Sequence, residues 1–326
     1  MFDPADMLPW ANLTPDVISS EANNDLATQA ARESMVLLKN NGVLPLSKDI
    51  KTIAVVGPNA DDVELLNGNY GGTPTDNHKH SLLEGIKNAV PGAKVIYHKA
   101  CTLADEYNTF SHLKDMNEGK GAYVEFWNNN ELEGDPAVTG YYKEAFNFST
   151  FGGWGFAQGV STEKISVRVT GTYKSTFTGE MKYTLSTDNG YTLKVNGEVV
   201  EQAEPTRRRF GFNRTPEYKS FQVKEGETYN IEIEYRRGKG NFAMLRGDIC
   251  ERKLVDYTDI ANDVKQADAI IVIGGISASM EGEGGDKADI ELPKVQQRLL
   301  EAMRGTGKPV VMVNCSGSAI AFGSVE

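Results

Sequence analysis

The sequence predicts an α/β fold: a parallel-sheet α/β sandwich, incomplete, interrupted by an inserted all-β antiparallel sandwich. Three observations carry this. Short apolar strands alternate with amphipathic helices near both ends of the chain. From about Tyr123 to Ile249 the pattern becomes a two-residue alternation rich in Thr, Tyr, Phe and Val, broken by glycine turns. The strand–helix alternation then resumes, and an insertion explains why the early strands have no helix leading directly onward.

Residues 20–39 place Leu26, Ala27, Ala30, Ala31, Ser34, Leu37 and Leu38 at helical spacing, with Ser20 as N-cap. Asn40, Asn41 and Gly42 supply the stop. A strand at 53–56 runs into Gly57-Pro58-Asn59, Leu82, Leu83, Ile86 and Val90 mark a helix, and 95–97 is a second strand. In the middle, 165–169, 181–185, 191–195 and 229–233 read as strands. Asn196-Gly197 is a two-residue hairpin signal, and Asp188-Asn189-Gly190 is a further turn. Beyond it, Ile260, Val264 and Ala267 mark a helix and 269–273 a fully buried strand. Pro293 opens a helix carrying Val295, Leu299 and Met303, and a strand follows at 309–313. The expected domains are a linker and helix at 1–50, a split α/β domain at 51–117 and 251–326, and the insert at 118–250. The crossing points fall within 101–122 and 250–257.

In 326 residues, 34 Lys and Arg face 45 Asp and Glu, a formal charge of −11. That balance excludes a nucleic-acid binder driven by bulk electrostatics. No apolar run approaches the roughly 20 residues that cross a bilayer, so no membrane partner is expected. The opening MFDPADMLPWANLTPD has acids and prolines where a signal peptide needs a basic end and an apolar stretch. Cys101, Cys250 and Cys315 are scattered and odd in number, and the four histidines are sparse. They define no disulfide framework and no metal cluster, and no cofactor is expected.

The densest chemical feature is the loop from Gly274 to Lys287, which leaves the carboxyl end of the buried strand 269–273. Open α/β sheets hold their ligands at that edge. Glu281, Glu283 and Asp286 crowd a glycine-rich backbone, which disfavours ionising all three and leaves one able to serve as a general acid. A solvated acidic loop is the plainer reading. Gly305-Thr-Gly307-Lys308 resembles the tail of a phosphate loop, but Pro309 stands where Ser or Thr would bind magnesium and a strand follows it. Gly274-Gly275 lacks the spacing of a dinucleotide fingerprint. Ser277, Ser279 and Ser316 lack the context of a nucleophile elbow. Trp127, Trp154, Tyr141, Tyr142 and Phe212 suit sugar stacking or, at sandwich spacing, a core. Arg207-Arg-Arg209 reads as a solvated hairpin tip, with a contact to a neighbouring domain as the alternative.

Several motifs together resemble glycoside hydrolase family 3. They are Ala31-Arg-Glu-Ser-Met-Val-Leu-Leu-Lys-Asn40 with Gly42 and Leu44-Pro-Leu46, Ile53-Ala-Val-Val-Gly-Pro-Asn-Ala60, Gly68-Asn-Tyr70 and Gly72-Thr-Pro74. Met280-Glu-Gly-Glu-Gly284 with Gly285-Asp286-Lys287 and Leu292-Pro293 resembles the family's acid/base loop, and Met1-Phe-Asp-Pro4 the segment leaving its barrel in the β-xylosidase-like branch. The middle, with Ser166-Val-Arg-Val-Thr-Gly171, Asp188-Asn-Gly-Tyr191 and Gly226-Glu-Thr-Tyr229, resembles a protective-antigen-type β-sandwich. Thr187 precedes Asp188 where sugar-binding relatives of that module carry two consecutive acids for calcium.

The resemblance implies a retaining, exo-acting β-glycosidase acting on non-reducing-end β-xylosyl or β-glucosyl residues of oligosaccharides. A barrel-domain Asp, absent from this chain, would be the nucleophile and the barrel a partner in cis. Glu283 matches the acid/base position best and Glu281 is the alternative, with Asp286 and Lys287 binding substrate. Without the barrel the chain is expected to be inactive. The same implication favours a periplasmic or secreted setting. The competing readings are a non-catalytic carbohydrate-binding module and an adhesion module. Oligomeric state is left open.

Overall fold

Ser20 opens the first regular element, its Oγ accepting the Asn23 amide to cap helix α1 (Glu21–Ser34). The computed structural model describes residues 4–68, 71, 79–150, 153, 155–203, 217–240, 242–282 and 287–323. It ends α1 at Ser34, short of the expected stop, because Met35 already has extended backbone (φ −71°, ψ 133°). Met35-Val-Leu-Leu38 is apolar at four successive positions, and no single helical stripe holds such a run.

Next come strand β1 (Thr52–Val56), helix α2 (Leu82–Ala89) and strand β2 (Lys94–His98). Eleven strands follow: β3 (Tyr107–Ser111), β4 (Ala122–Trp127), β5 (Val138–Tyr142), β6 (Phe146–Ser149), β7 (Ser166–Lys174), β8 (Gly179–Thr187), β9 (Tyr191–Val195), β10 (Glu198–Ala203), β11 (Lys219–Val223), β12 (Thr228–Arg236) and β13 (Met244–Leu254). Helix α3 (Thr258–Val264), strand β14 (Ala269–Gly275), helices α4 (Ala278–Glu281) and α5 (Lys294–Arg304), and strand β15 (Val310–Cys315) complete the order. The chain divides into two units, Met1–Glu106 with Asp256–Glu326, and Tyr107–Val255.

In the first unit β15-β14-β1-β2 form one parallel sheet. The two central strands are buried on both faces, which is why their sequences are unbroken apolar runs. Ile53, Val55, Ile271 and Ile273 pack on one face with Leu83 and Ile86 of α2. The alternate residues Ala54, Val56, Ile270 and Val272 are buried on the other. There α5 packs against β14 and α3, burying Val295, Leu299, Leu300 and Met303. Each such large side chain contributes roughly 1.5–3 kcal/mol.

The second unit stacks a six-stranded sheet, β10-β9-β12-β7-β4-β5, with a five-stranded one, β11-β8-β13-β3, in which β6 also pairs with β13. Every pairing is antiparallel, and Phe126, Val167, Leu193, Ile233, Leu245 and Ile249 lie in their common core. Asn196 (φ 52°) and Gly197 (φ 83°) both adopt the left-handed region between β9 and β10, as a two-residue hairpin requires. Asp188-Asn189-Gly190 does something else: it carries the chain from β8 in one sheet to β9 in the other.

The seams fall at 106/107 and 255/256 instead of 117/118 and 250/251. The reason is β3, whose whole length pairs with Cys250–Leu254 at the end of β13, so both stay with the sandwich.

Asp268 joins the amino ends of the two central strands. Its carboxylate accepts the Lys51 and Thr52 amides, each at 2.9 Å, while its own amide donates to the Thr52 carbonyl. The Thr52 and Lys51 hydrogen bonds hold its carboxyl below the ordinary aspartate value. A group so lowered stabilises the fold fully above the ordinary value and loses that contribution as pH falls through the lowered one. Asp268→Ala is therefore expected to lower the melting temperature at pH 7. The gap from the parent should close in melts run progressively below pH 4.

Candidate active site

The carboxyl edge of the parallel sheet is built by backbone meeting backbone. Gly57 ends β1 at φ 127°, and a Cβ there would stand 2.1 Å from the Ile273 carbonyl oxygen. Gly275 ends β14 at φ 124°, with the Cys315 carbonyl equally close to where its Cβ would be. Only glycine supplies both the angle and the room. The Asn59 amide donates to the Ile273 oxygen and the Ile276 amide to the Cys315 oxygen, so β14 is gripped from both sides as it ends.

From that grip the loop expected to carry chemistry departs. Ile276 is buried, and α4 sets Glu281 at its final position. Glu281 Oε1 accepts the Gly317 amide at 2.7 Å, tying the loop after β14 to the loop after β15. Lys287 is half-buried, and its Nζ lies out of solvent with no hydrogen-bond partner among the described residues. Glu283 and Asp286 lie outside the described residues, as do Asn69, Tyr70, the 72–74 motif, Trp154, Arg207-Arg-Arg209 and Phe212.

Two buried amides at this edge were not anticipated. Asn59 is fully buried, and neither its Oδ1 nor its Nδ2 finds a partner among the described residues. Gln296 of α5 is 1% exposed and its amide is fully engaged at Gly275. A sequence signal existed for Gln296: it is a polar residue within the inward stripe of Val295, Leu299, Leu300 and Met303.

Thiol chemistry has no support here. Burial pushes the Cys101 thiol up to about 11 and raises Cys315 as well, so neither offers a thiolate near neutral pH. Among the described residues no group of three or more His, Cys, Asp or Glu could hold a metal ion. No helix among them is long and apolar enough to cross a membrane.

In the sandwich, Asp188 is a structural clasp. Its Oδ1 accepts the Tyr235 hydroxyl at 2.5 Å and the Met244 amide at 2.7 Å, joining the β8–β9 corner to β12 and β13. Burial, then the Asp188 charge and hydrogen bond, drives the Tyr235 hydroxyl far above the ordinary tyrosine range, so it remains a donor. Of the aromatics, Trp127 is buried and donates to the Gly134 carbonyl, while Tyr142 packs on the core. Tyr141 is 51% exposed and lies against Tyr123 at 5.1 Å between ring centroids.

Comparison with known proteins locates this architecture. The Glycosyl hydrolase family 3 C-terminal domain matches residues 35–325. The chain is 33% identical over 342 aligned residues to a xylan 1,4-beta-xylosidase of Xylanibacter ruminicola, covering 99% of this chain and 38% of that protein. It is 27% identical to a beta-glucosidase of Rhizobium radiobacter, covering 90% and 36%. The crystal structure of a beta-glucosidase from Kluyveromyces marxianus superposes with a TM-score of 0.55 at 24% identity, over 93% of this chain and 38% of that one, and shares the fold. The chain thus spans under two fifths of the length of these relatives.

Asp188→Ala would leave the buried Tyr235 hydroxyl and the Met244 amide unpaired, a loss of about 3–6 kcal/mol from two hydrogen bonds to a charged group. Denaturant unfolding of the sandwich should register it.

Proposed function

Because this chain belongs to glycosyl hydrolase family 3, as its C-terminal domain, we propose that it forms part of a retaining, exo-acting β-glycosidase. The substrates are non-reducing-end β-xylosyl or β-glucosyl residues of oligosaccharides. Xylosides come first, since the 33%-identical relative is a xylan 1,4-beta-xylosidase. The observation supporting the reading is that the chain leaves a buried central strand at Gly275, on the carboxyl edge where open α/β sheets hold their ligands, directly before the Glu281–Lys287 motif.

In this reading Glu283 protonates the leaving oxygen and then, as carboxylate, activates water, while a barrel-domain Asp attacks the sugar. Retaining chemistry sets those two carboxyls about 5–5.5 Å apart. Glu281 is already engaged with the Gly317 amide, a holding contact, which favours Glu283 for the proton transfers. Asp286 and Lys287 serve the substrate or its neighbouring carboxylate. In the same reading the inserted sandwich narrows the choice of substrate.

A barrel in cis also accounts for an otherwise costly surface. Met35, Val36, Leu37 and Leu38 are 65–76% exposed in succession, and Trp10, Leu13, Ile18 and Leu26 are exposed as well. Exposed apolar side chains in such number suit a docking face. Export to a periplasmic or extracellular setting fits a polysaccharide-degrading role.

Two outcomes follow. Residues 1–326 expressed alone should show no turnover of aryl β-xylosides or β-glucosides above background, and robust turnover would sink the barrel requirement. In the full-length polypeptide, Glu283→Ala should slow aryl xyloside turnover by about 100-fold or more, with added azide restoring part of it. If Glu281→Ala alone behaves that way, the acid/base role moves to Glu281. If neither does, the loop is not the acid/base loop.

A further inference from the structure

In a parallel strand the N–H and C=O of one residue face the same neighbour, and successive residues alternate sides. At the end of β14 the Ile276 amide faces β15, where it donates to the Cys315 carbonyl. Gly275 must therefore present its N–H and C=O toward β1. There β1 has already turned away: its register with β14 stops at Val56 opposite Val272. Two backbone groups are left facing away from any strand partner, and an unpaired polar group inside a protein is costly.

Gln296 supplies the missing partner. Its Oε1 accepts the Gly275 amide at 2.8 Å, and its Nε2 donates to the Gly275 carbonyl at 2.7 Å. A side-chain amide here does what the next residue of a neighbouring strand would do. The same Nε2 donates to the Leu103 carbonyl at 2.6 Å, so the amide also holds the segment after β2. The fit is tight: a Cβ on Gly274 would lie 2.3 Å from Gln296 Oε1. The backbone beneath Gln296 is fixed too, since the buried Tyr257 hydroxyl donates to the Val295 carbonyl at 2.7 Å.

We infer that Gln296 is a positioning residue for the acid/base loop. It fixes the backbone of Gly275, where the chain leaves the sheet toward the loop's carboxyl, and so the presentation of that carboxyl to the leaving oxygen. The inference rests on the reading of that loop given above. It does not require Gln296 to touch substrate. On the opposite side the Ile276–Cys315 and Glu281–Gly317 hydrogen bonds fix the same take-off, and among the described residues Gln296 bonds both backbone groups of Gly275 on the β1 side.

The experiment uses the full-length polypeptide and a series of β-xylosides whose leaving groups range from dinitrophenol to an alkyl alcohol. A general acid matters little for the first and greatly for the last. Gln296→Met, close in volume but without the amide, should lower kcat about 10- to 100-fold on alkyl xylosides and less than about 3-fold on the dinitrophenyl substrate. Gln296→Glu, buried and so protonated, keeps one acceptor and one donor and should fall between Met and the parent. Assays run well below each variant's melting temperature separate this from unfolding. An equal loss across all leaving groups, or no loss, in both variants overturns the role of Gln296 while leaving the acid/base loop intact. A flat leaving-group dependence and no azide rescue in both Glu281→Ala and Glu283→Ala overturns the loop reading itself, and this inference with it.

Discussion

Close backbone contact at the carboxyl edge of the parallel sheet is the constraint on which the rest of the first unit depends. The Ile273 carbonyl of β14 lies so close to Gly57 at the end of β1, and the Cys315 carbonyl of β15 so close to Gly275, that neither glycine has room for a Cβ. Such convergence brings three loops together, those after Val56, Gly275 and Cys315, and it leaves Gly275 with backbone groups that no strand can satisfy. A buried amide on α5 then becomes obligatory. The apolar strands, the two glycines and Gln296 are thus parts of one solution: a carboxylate-bearing loop can leave the buried centre of a sheet only if the strand beneath it is fully paired to its last residue.

The sandwich solves its own polar problems internally. Glu201 on β10 accepts the Tyr183 hydroxyl of β8 at 2.8 Å and pairs with Lys219 of β11, joining the six-stranded sheet to the five-stranded one. Burial, with the Glu201 hydrogen bond and charge, raises the Tyr183 hydroxyl well above the ordinary tyrosine range and keeps it a donor. On the outer face Arg168 of β7 reaches Glu234 of β12, which also meets Lys194 of β9. Pairs at this exposure contribute little each, but they keep that face polar while the core between the sheets is mostly apolar. A module with its own core and its own cross-sheet links can occupy a loop of a host without contributing a strand to the host's sheet. The host sheet, accordingly, contains only strands from either side of the insert.

Local patterning made much of this legible. β1 and β14 are unbroken apolar runs, and a strand buried on both faces admits nothing else; Asn196-Gly197 is a hairpin because both residues tolerate positive φ. What failed to be legible depended on partners far away in sequence. Helix α1 carries no buried residue, so nothing in its own pattern marked its end at Ser34. β3 is exposed along nearly its whole length, and only its pairing with β13, beyond the entire sandwich, assigns it to the second unit. Asp188-Asn189-Gly190 looks locally like a hairpin, yet it spans two sheets.

By itself, then, the sequence determined the fold class, the interruption of one domain by another, and the loop in which carboxylates gather, because periodicity, turn chemistry and composition are properties of neighbouring residues. Only the tertiary structure decided how that loop is held and what Asp188 does. Gln296 bonds a carbonyl 193 positions earlier in the chain, and Asp188 an amide 56 positions later. A helical stripe can mark Gln296 as inward-facing, but the partners of such bonds leave no periodic trace, since each is set by where the backbone passes and not by the residues beside it.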